Sequence, residues 1–187
     1  MDNLPTRQTL LLKIKNQYDD DSWTEFIQYY QGFIKSVLIR SGVHNSDVED
    51  MSQTLVLKLW KKLPDFNYQP QKGLFKAWLK TIIRNSVSDY FKTAAKENNV
   101  AYEESTVDIN TAYDEEWMVY IAELAWKNIQ NKFEDKVLTI YARLAKGESP
   151  EVIAQETKLV RGSVYVYKER VQKALRREIR LLENQLS

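Results

Sequence analysis

Apolar residues return every three or four positions along most of the chain, and no other feature restricts its fold as strongly. In "FKAWLKTIIRNSVSDYFK", Phe75, Leu79, Ile82 and Ile83 share one face of a helix, spaced i, i+4, i+7, i+8, with Trp78 at the edge of the stripe. Period-2 alternation is weak and paired turn signals are few, so an all-α protein is expected. The scarcity of breakers agrees with this: 187 residues contain only 5 Gly and 4 Pro, and 43% are hydrophobic, the composition of a folded chain. The pattern predicts helices over Thr6–Gln17, Ser22–Ser41, Asp47–Leu63, Leu74–Lys96, Ala112–Asn131, Glu134–Lys146, Pro150–Thr157 and Arg161–Asn184. At the third of these, "SDVE" reads as a capping box in which Ser46 caps the backbone near Glu49 while Glu49 reaches back.

Several function classes drop out on composition. The chain has no cysteine and a single histidine, His44, so it carries no disulfide framework or thiolate nucleophile, and a His-based metal site is not expected. No convergent set of acids, bases or metal ligands stands out, so neither an enzyme nor a cofactor is expected. No apolar run approaches the roughly 18 residues that span a bilayer. The opening "MDNLPTRQTLLLKIK" lacks the order of a secretory signal, and a cytoplasmic protein without membrane insertion is the expectation.

The net charge of +1 hides a segregation of charge. The stretch "ENNVAYEESTVDINTAYDEE", Glu97 to Glu116, is acidic and lacks any basic residue, which reads as a linker between two helical modules. From Lys158 to Arg180 the balance reverses to an excess of Lys and Arg.

That basic region closes a segment with the layout of a helix-turn-helix. Ser149 can cap a short helix with Pro150 at its first position, Ala154 is small where two helices would cross, and Leu159 fills the turn. Val164, Tyr167, Val171 and Leu175 form the buried stripe of the second helix. On its other side Arg161, Ser163, Tyr165, Glu169 and Arg170 are candidates for base contact in a major groove. Lys173, Arg176 and Arg177 lie farther along, where contact with phosphate or with a partner is expected rather than base reading. In the amino-terminal half, the loop "PDFNYQPQKG" supplies Phe66, Asn67, Tyr68 and Gln69, and Lys76, Lys80 and Arg84 follow at i+4 spacing. Aromatic groups beside a basic stripe can hold unstacked bases over a neutralised backbone.

The stretch "DVEDMSQTLVLKLWKKLPDFNYQPQKGLFKAWLKTIIRNSVSDYFK" resembles the promoter-melting domain of bacterial sigma-70-type factors, specifically the extracytoplasmic-function group. Asp50, Gln53, Trp60, Phe66, Phe75, Trp78, Leu79, Arg84, Asn85 and Asp89 fit its order and spacing, and the helix-turn-helix falls where that group binds the −35 element. The resemblance implies a sigma-2-like domain over residues 1–96, a linker over 97–116 in the polymerase's basic RNA-exit path, and a sigma-4-like domain over 117–187. Asp50, Gln53, Thr54 and Leu57 would bind core RNA polymerase through its beta and beta-prime subunits, on the clamp coiled coil. The Phe66–Lys72 loop, with Asn67, Tyr68 and Lys72, would capture a base flipped from the non-template strand of the −10 element. Lys76, Trp78, Lys80, Thr81, Arg84, Asn85 and Asp89 would line the adjacent junction of duplex and single strand. Arg161, Ser163, Tyr165, Glu169, Arg170 and Lys173 would meet the −35 duplex. Val160 stands where the group has a capping residue, and Tyr165 and Glu169 stand where it is often basic, which leaves room for an anti-sigma factor or another DNA-targeting regulatory protein as a further partner. The rival reading is a stand-alone helix-turn-helix repressor or activator whose amino-terminal helices serve for dimerisation.

Overall fold

The computed structural model describes residues 10, 13–16, 18–66, 74–97 and 108–186, and among these it is all-α, with no strand. The helices are α1 (Asp20–Arg40), α2 (Asn45–Lys62), α3 (Leu74–Glu97), α4 (Ile109–Gln130), α5 (Asp135–Ala145), α6 (Pro150–Thr157) and α7 (Arg161–Leu186). The expected helix Thr6–Gln17 lies largely outside the described residues. The chain divides into two compact units, Met1–Tyr120 with Asn184–Ser187, and Ile121–Glu183.

The starts of the helices follow from local chemistry. Asp19 caps α1 by accepting hydrogen bonds from the Ser22 N–H (3.0 Å) and the Ser22 hydroxyl (2.9 Å), and Asp20 and Asp21 complement the positive end of the helix dipole. The helix therefore begins two residues before the expected Ser22. The capping box predicted for α2 is not made. His44 is the cap, its Nδ1 accepting from the Ser46 N–H at 3.4 Å, while the Ser46 hydroxyl donates to Asp47 and Glu49 pairs with Lys35 at 2.6 Å. The imidazole and the Lys35 ammonium have taken the partners that the reciprocal box would need.

In the first unit α1 packs on α2 and α2 on α3. The core is rich in rings: Phe26 and Tyr30 of α1 meet Phe75 of α3 at centroid distances of 6.3 and 5.4 Å. Leu55 and Leu59 of α2 and Leu79, Ile83 and Val87 of α3 are wholly buried beside them. The first half of α4 belongs to this unit. Phe33 is surrounded by Tyr113 (5.2 Å), Trp117 (5.4 Å) and Tyr120 (5.3 Å), mostly in edge-to-face geometry. The segment 97–116 is therefore not a linker throughout: from Ile109 it is helical, and Tyr113 is fully buried. Asp114, Glu115 and Glu116 lie on the outer side of α4, where Arg40 pairs with Glu115 and, at 3.0 Å, with Glu116.

In the second unit, Ile140, Ile153, Ala154 and Val164 form one cluster, with Leu144, Leu159 and Tyr167 against it. Ile129, Val137 and Val171 form another, joined by Trp126, Tyr141 and Leu175. Ser149 caps α6 by accepting from the Glu151 and Val152 N–H groups, with Pro150 in the first turn. The turn after α6 passes through Lys158 in the left-handed conformation (φ 55°), which lets its N–H close the helix end on the Ala154 and Gln155 carbonyls. Leu159 then turns inward and α7 begins. The small Ala154 at the crossing and the buried Val164 and Val171 are the helix-turn-helix stripe expected from spacing.

Candidate functional site

The surface of α2 separates cleanly into two sides. Val48, Ser52, Leu55 and Leu59 are buried, and Asp50, Gln53, Thr54 and Leu57 are all exposed. Their spacing of i, i+3, i+4 and i+7 makes one continuous row along the helix. Leu57 is 59% exposed, a large aliphatic side chain held in water, with the exposed Trp60 one turn farther along the same side. Beside the row, a groove of about 370 Å³ runs between α2 and α3, lined among others by Asp47, Thr54, Lys58, Asp89 and Tyr90. Two contacts fix its walls: Tyr90 donates to Asp47 at 2.7 Å and Lys58 donates to the Ser86 hydroxyl at 2.9 Å. The Tyr90 bond, seconded by the Ser46 hydroxyl, holds the Asp47 carboxyl below its ordinary pKa, and the same bond raises the Tyr90 phenol.

A second hollow, of about 320 Å³, lies where α2 ends and α3 begins, lined by Lys62, Asp65, Phe66 and Trp78. Trp78 is half-buried, its ring 4.7 Å from Phe66 and 5.7 Å from Phe75. Phe66, expected in the loop that captures a flipped base, is buried. Its ring packs against Phe75 and Trp78, because an apolar ring next to the helical core gains more from burial than from solvent. It forms the floor under Trp78. Asn67, Tyr68 and Lys72 lie outside the described residues.

Farther along α3, Thr81, Arg84 and Asn85 are exposed together. Lys76 and Lys80, expected in the same basic stripe, face elsewhere. Lys80 Nζ donates to Asp114 Oδ2 at 2.7 Å and lies 5.6 Å over the Tyr113 ring. Lys76 Nζ lies 3.6 Å from Asp114 Oδ1 and 5.5 Å over Trp117. The two ammonium groups hold the Asp114 carboxyl below its ordinary pKa, Lys80 by the larger share. An i+4 repeat keeps Lys76, Lys80 and Arg84 near one face, but each step drifts about 40° around the helix, and α4 covers the first two positions. Asp89, one turn beyond Asn85, stands on the wall of the groove with Thr54. The pairing of Asp114 with both lysines was not anticipated, although the rings at Tyr113, Trp117 and Tyr120 signal a buried helix face in that segment.

On α7, Tyr165, Glu169, Arg170 and Lys173 are exposed, while Ser163 is half-buried. Arg161 is exposed and engaged: it pairs with Glu151 at 2.7 Å and donates to the Tyr165 hydroxyl at 3.3 Å. Glu169 pairs with Arg176 at 2.8 Å. Val160, as expected, offers no side-chain cap; only its carbonyl accepts, from the Ser163 N–H at 2.8 Å.

This architecture is that of an all-α protein with an exposed polar row on one helix and an aromatic-floored hollow beside it. Residues 26–97, which span most of α1 and all of α2 and α3, match the family model described as sigma-70 region 2. The match makes this segment similar to sigma-70 region 2 and does not extend to the second unit. No curated protein matched the chain. Among the described residues, no helix is long and apolar enough to cross a membrane.

Proposed function

We propose that the chain is an extracytoplasmic-function-type sigma factor that binds core RNA polymerase, opens the −10 element and contacts the −35 element through its second unit. The observation that carries this reading is the position of the exposed row Asp50, Gln53, Thr54 and Leu57 within the segment that matches sigma-70 region 2. Four side chains that contribute nothing to the core are lined up on a rigid helix, as a docking edge requires. In this reading Trp78, supported from beneath by Phe66 and Phe75, is the platform against which an unpaired base settles, and Thr81, Arg84 and Asn85 continue the DNA path along α3. Lys76 and Lys80 act in this path only if Asp114 is displaced. Strand opening then needs no catalytic group: binding of the flipped bases offsets a few kcal/mol of unstacking, and the nucleotide chemistry belongs to the polymerase. The exposed face of α7 would lie in the major groove of the upstream duplex.

The test is copurification with core RNA polymerase in the absence of promoter DNA. Polymerase should be retained by the parent chain, and Asp50→Ala with Gln53→Ala should weaken retention while leaving the thermal unfolding midpoint nearly unchanged, since both positions are exposed. Tight duplex binding without any polymerase binding would favour a stand-alone repressor or activator instead.

A further inference from the structure

The open face of α7 carries an aliphatic side chain and a glycine among its polar groups. At its centre, opposite the buried Val164 and Val171, lie Gly162 and Val166 at i and i+4. Val166 is 55% exposed and the neighbouring Val160 76%. A β-branched aliphatic side chain on an open helix face gains nothing from burial and is a mediocre helix former, so the fold itself does not call for it.

Gly162 is equally unexplained by the fold. A Cβ placed on it would meet nothing within 4 Å, and its backbone is not in the left-handed region. Neither packing nor conformation requires glycine, which is among the poorest helix formers, in the first turn of α7. A bare position of this kind suits a surface that approaches the helix closely from outside the chain.

Two of the charged groups nearby are engaged by neighbours. The Arg161 guanidinium is drawn to Glu151 and to Tyr165, over whose ring it lies at 5.6 Å, and Glu169 is drawn to Arg176. What faces outward between them is the alkyl surface of Val166 beside the exposed backbone of Gly162, with the cations Arg170 and Lys173 one and two turns farther along the same face. In a major groove the one alkyl group that a base edge offers is the C5 methyl of thymine.

We propose that Val166 is a specificity-determining residue that packs on a thymine methyl in the duplex bound by α7, and that Gly162 lets the helix backbone come close to that base edge. The inference rests on the reading of α6 and α7 as a duplex-reading unit. Its test begins by selecting short duplexes with a randomised centre on the full chain. The enriched duplexes should contain a fixed thymine, and replacing it by deoxyuridine should weaken binding about four-fold, the worth of one methyl group removed from water. Val166→Ala should cost a similar factor on the thymine duplex and make the chain indifferent to the thymine-to-deoxyuridine change. Gly162→Ala should raise the unfolding midpoint and yet weaken duplex binding, an opposition of signs that a purely structural glycine would not give.

If enriched duplexes bind equally well with deoxyuridine, or if Val166→Ala keeps the full sensitivity to it, methyl reading is wrong while duplex reading stands. If no duplex is enriched, the duplex-reading role of α6 and α7 falls and this proposal with it. If Val166→Ala leaves DNA binding intact but weakens retention of core polymerase, the face is a protein contact and the proposal is overturned.

Discussion

Tyr90 and Asp47 join α3 to the start of α2 through one hydrogen bond of 2.7 Å, and the bond sets a pH window for the stability of the first unit. The carboxyl of Asp47 is held below its ordinary value of 3.8, so its contribution is present above that value and is lost as the pH falls through the lowered one. The phenol of Tyr90 is raised above its ordinary 10.0, so the bond persists below that and is lost as the pH rises through the raised value. Tyr90→Phe should therefore lower the unfolding midpoint at neutral pH, and the gap from the parent should close at both extremes. A gap that is constant with pH would mean that the ring, not the bond, accounts for the loss. Ser149 and Pro150 announced their helix start because the cap bond is made within three residues. Ser46 misled, since His44 two residues earlier was free to accept the same N–H.

The seven helices of the described residues were legible because each buries one face, and a stripe of apolar residues at helical spacing survives whatever the packing partner is. The start of α4 was not legible from composition. Asp114, Glu115 and Glu116 dominate the segment's charge, while Tyr113, Trp117 and Tyr120 occupy the opposite side of the same turns. Averaging over the segment merges the two faces, and only the spacing separates them. The same merging explains why Lys76 and Lys80 were grouped with Arg84: charge at i+4 was visible, but the cover provided by α4 was not. Trp117→Ala tests the docking of this element. Trp117 is almost wholly buried, and its loss should destabilise the first unit by about 3–5 kcal/mol, measured by denaturant unfolding. Asp114→Asn, which removes only exposed ion pairs, should cost less than about 1 kcal/mol. Comparable costs for the two would show that charge rather than ring burial holds α4 in place.

For the whole molecule, the division after Tyr120 rather than near residue 96 changes what should fold by itself. A fragment of residues 1–120 retains the rings around Phe33, whereas residues 1–96 leave that side chain, now 4% exposed, without its cover. The longer fragment should unfold cooperatively at a clearly higher temperature by circular dichroism; equal midpoints would mean that α4 rests on the unit without stabilising it. This dependence contrasts with the row on α2. Asp50, Gln53, Thr54 and Leu57 stand outside the packed interior, so a lineage can replace any one of them without first securing a compensating change inside. Phe33, Tyr113 and Trp117 have no such liberty and must change together or not at all. Over generations such a chain could drift toward a new docking partner by single steps while its architecture stays fixed.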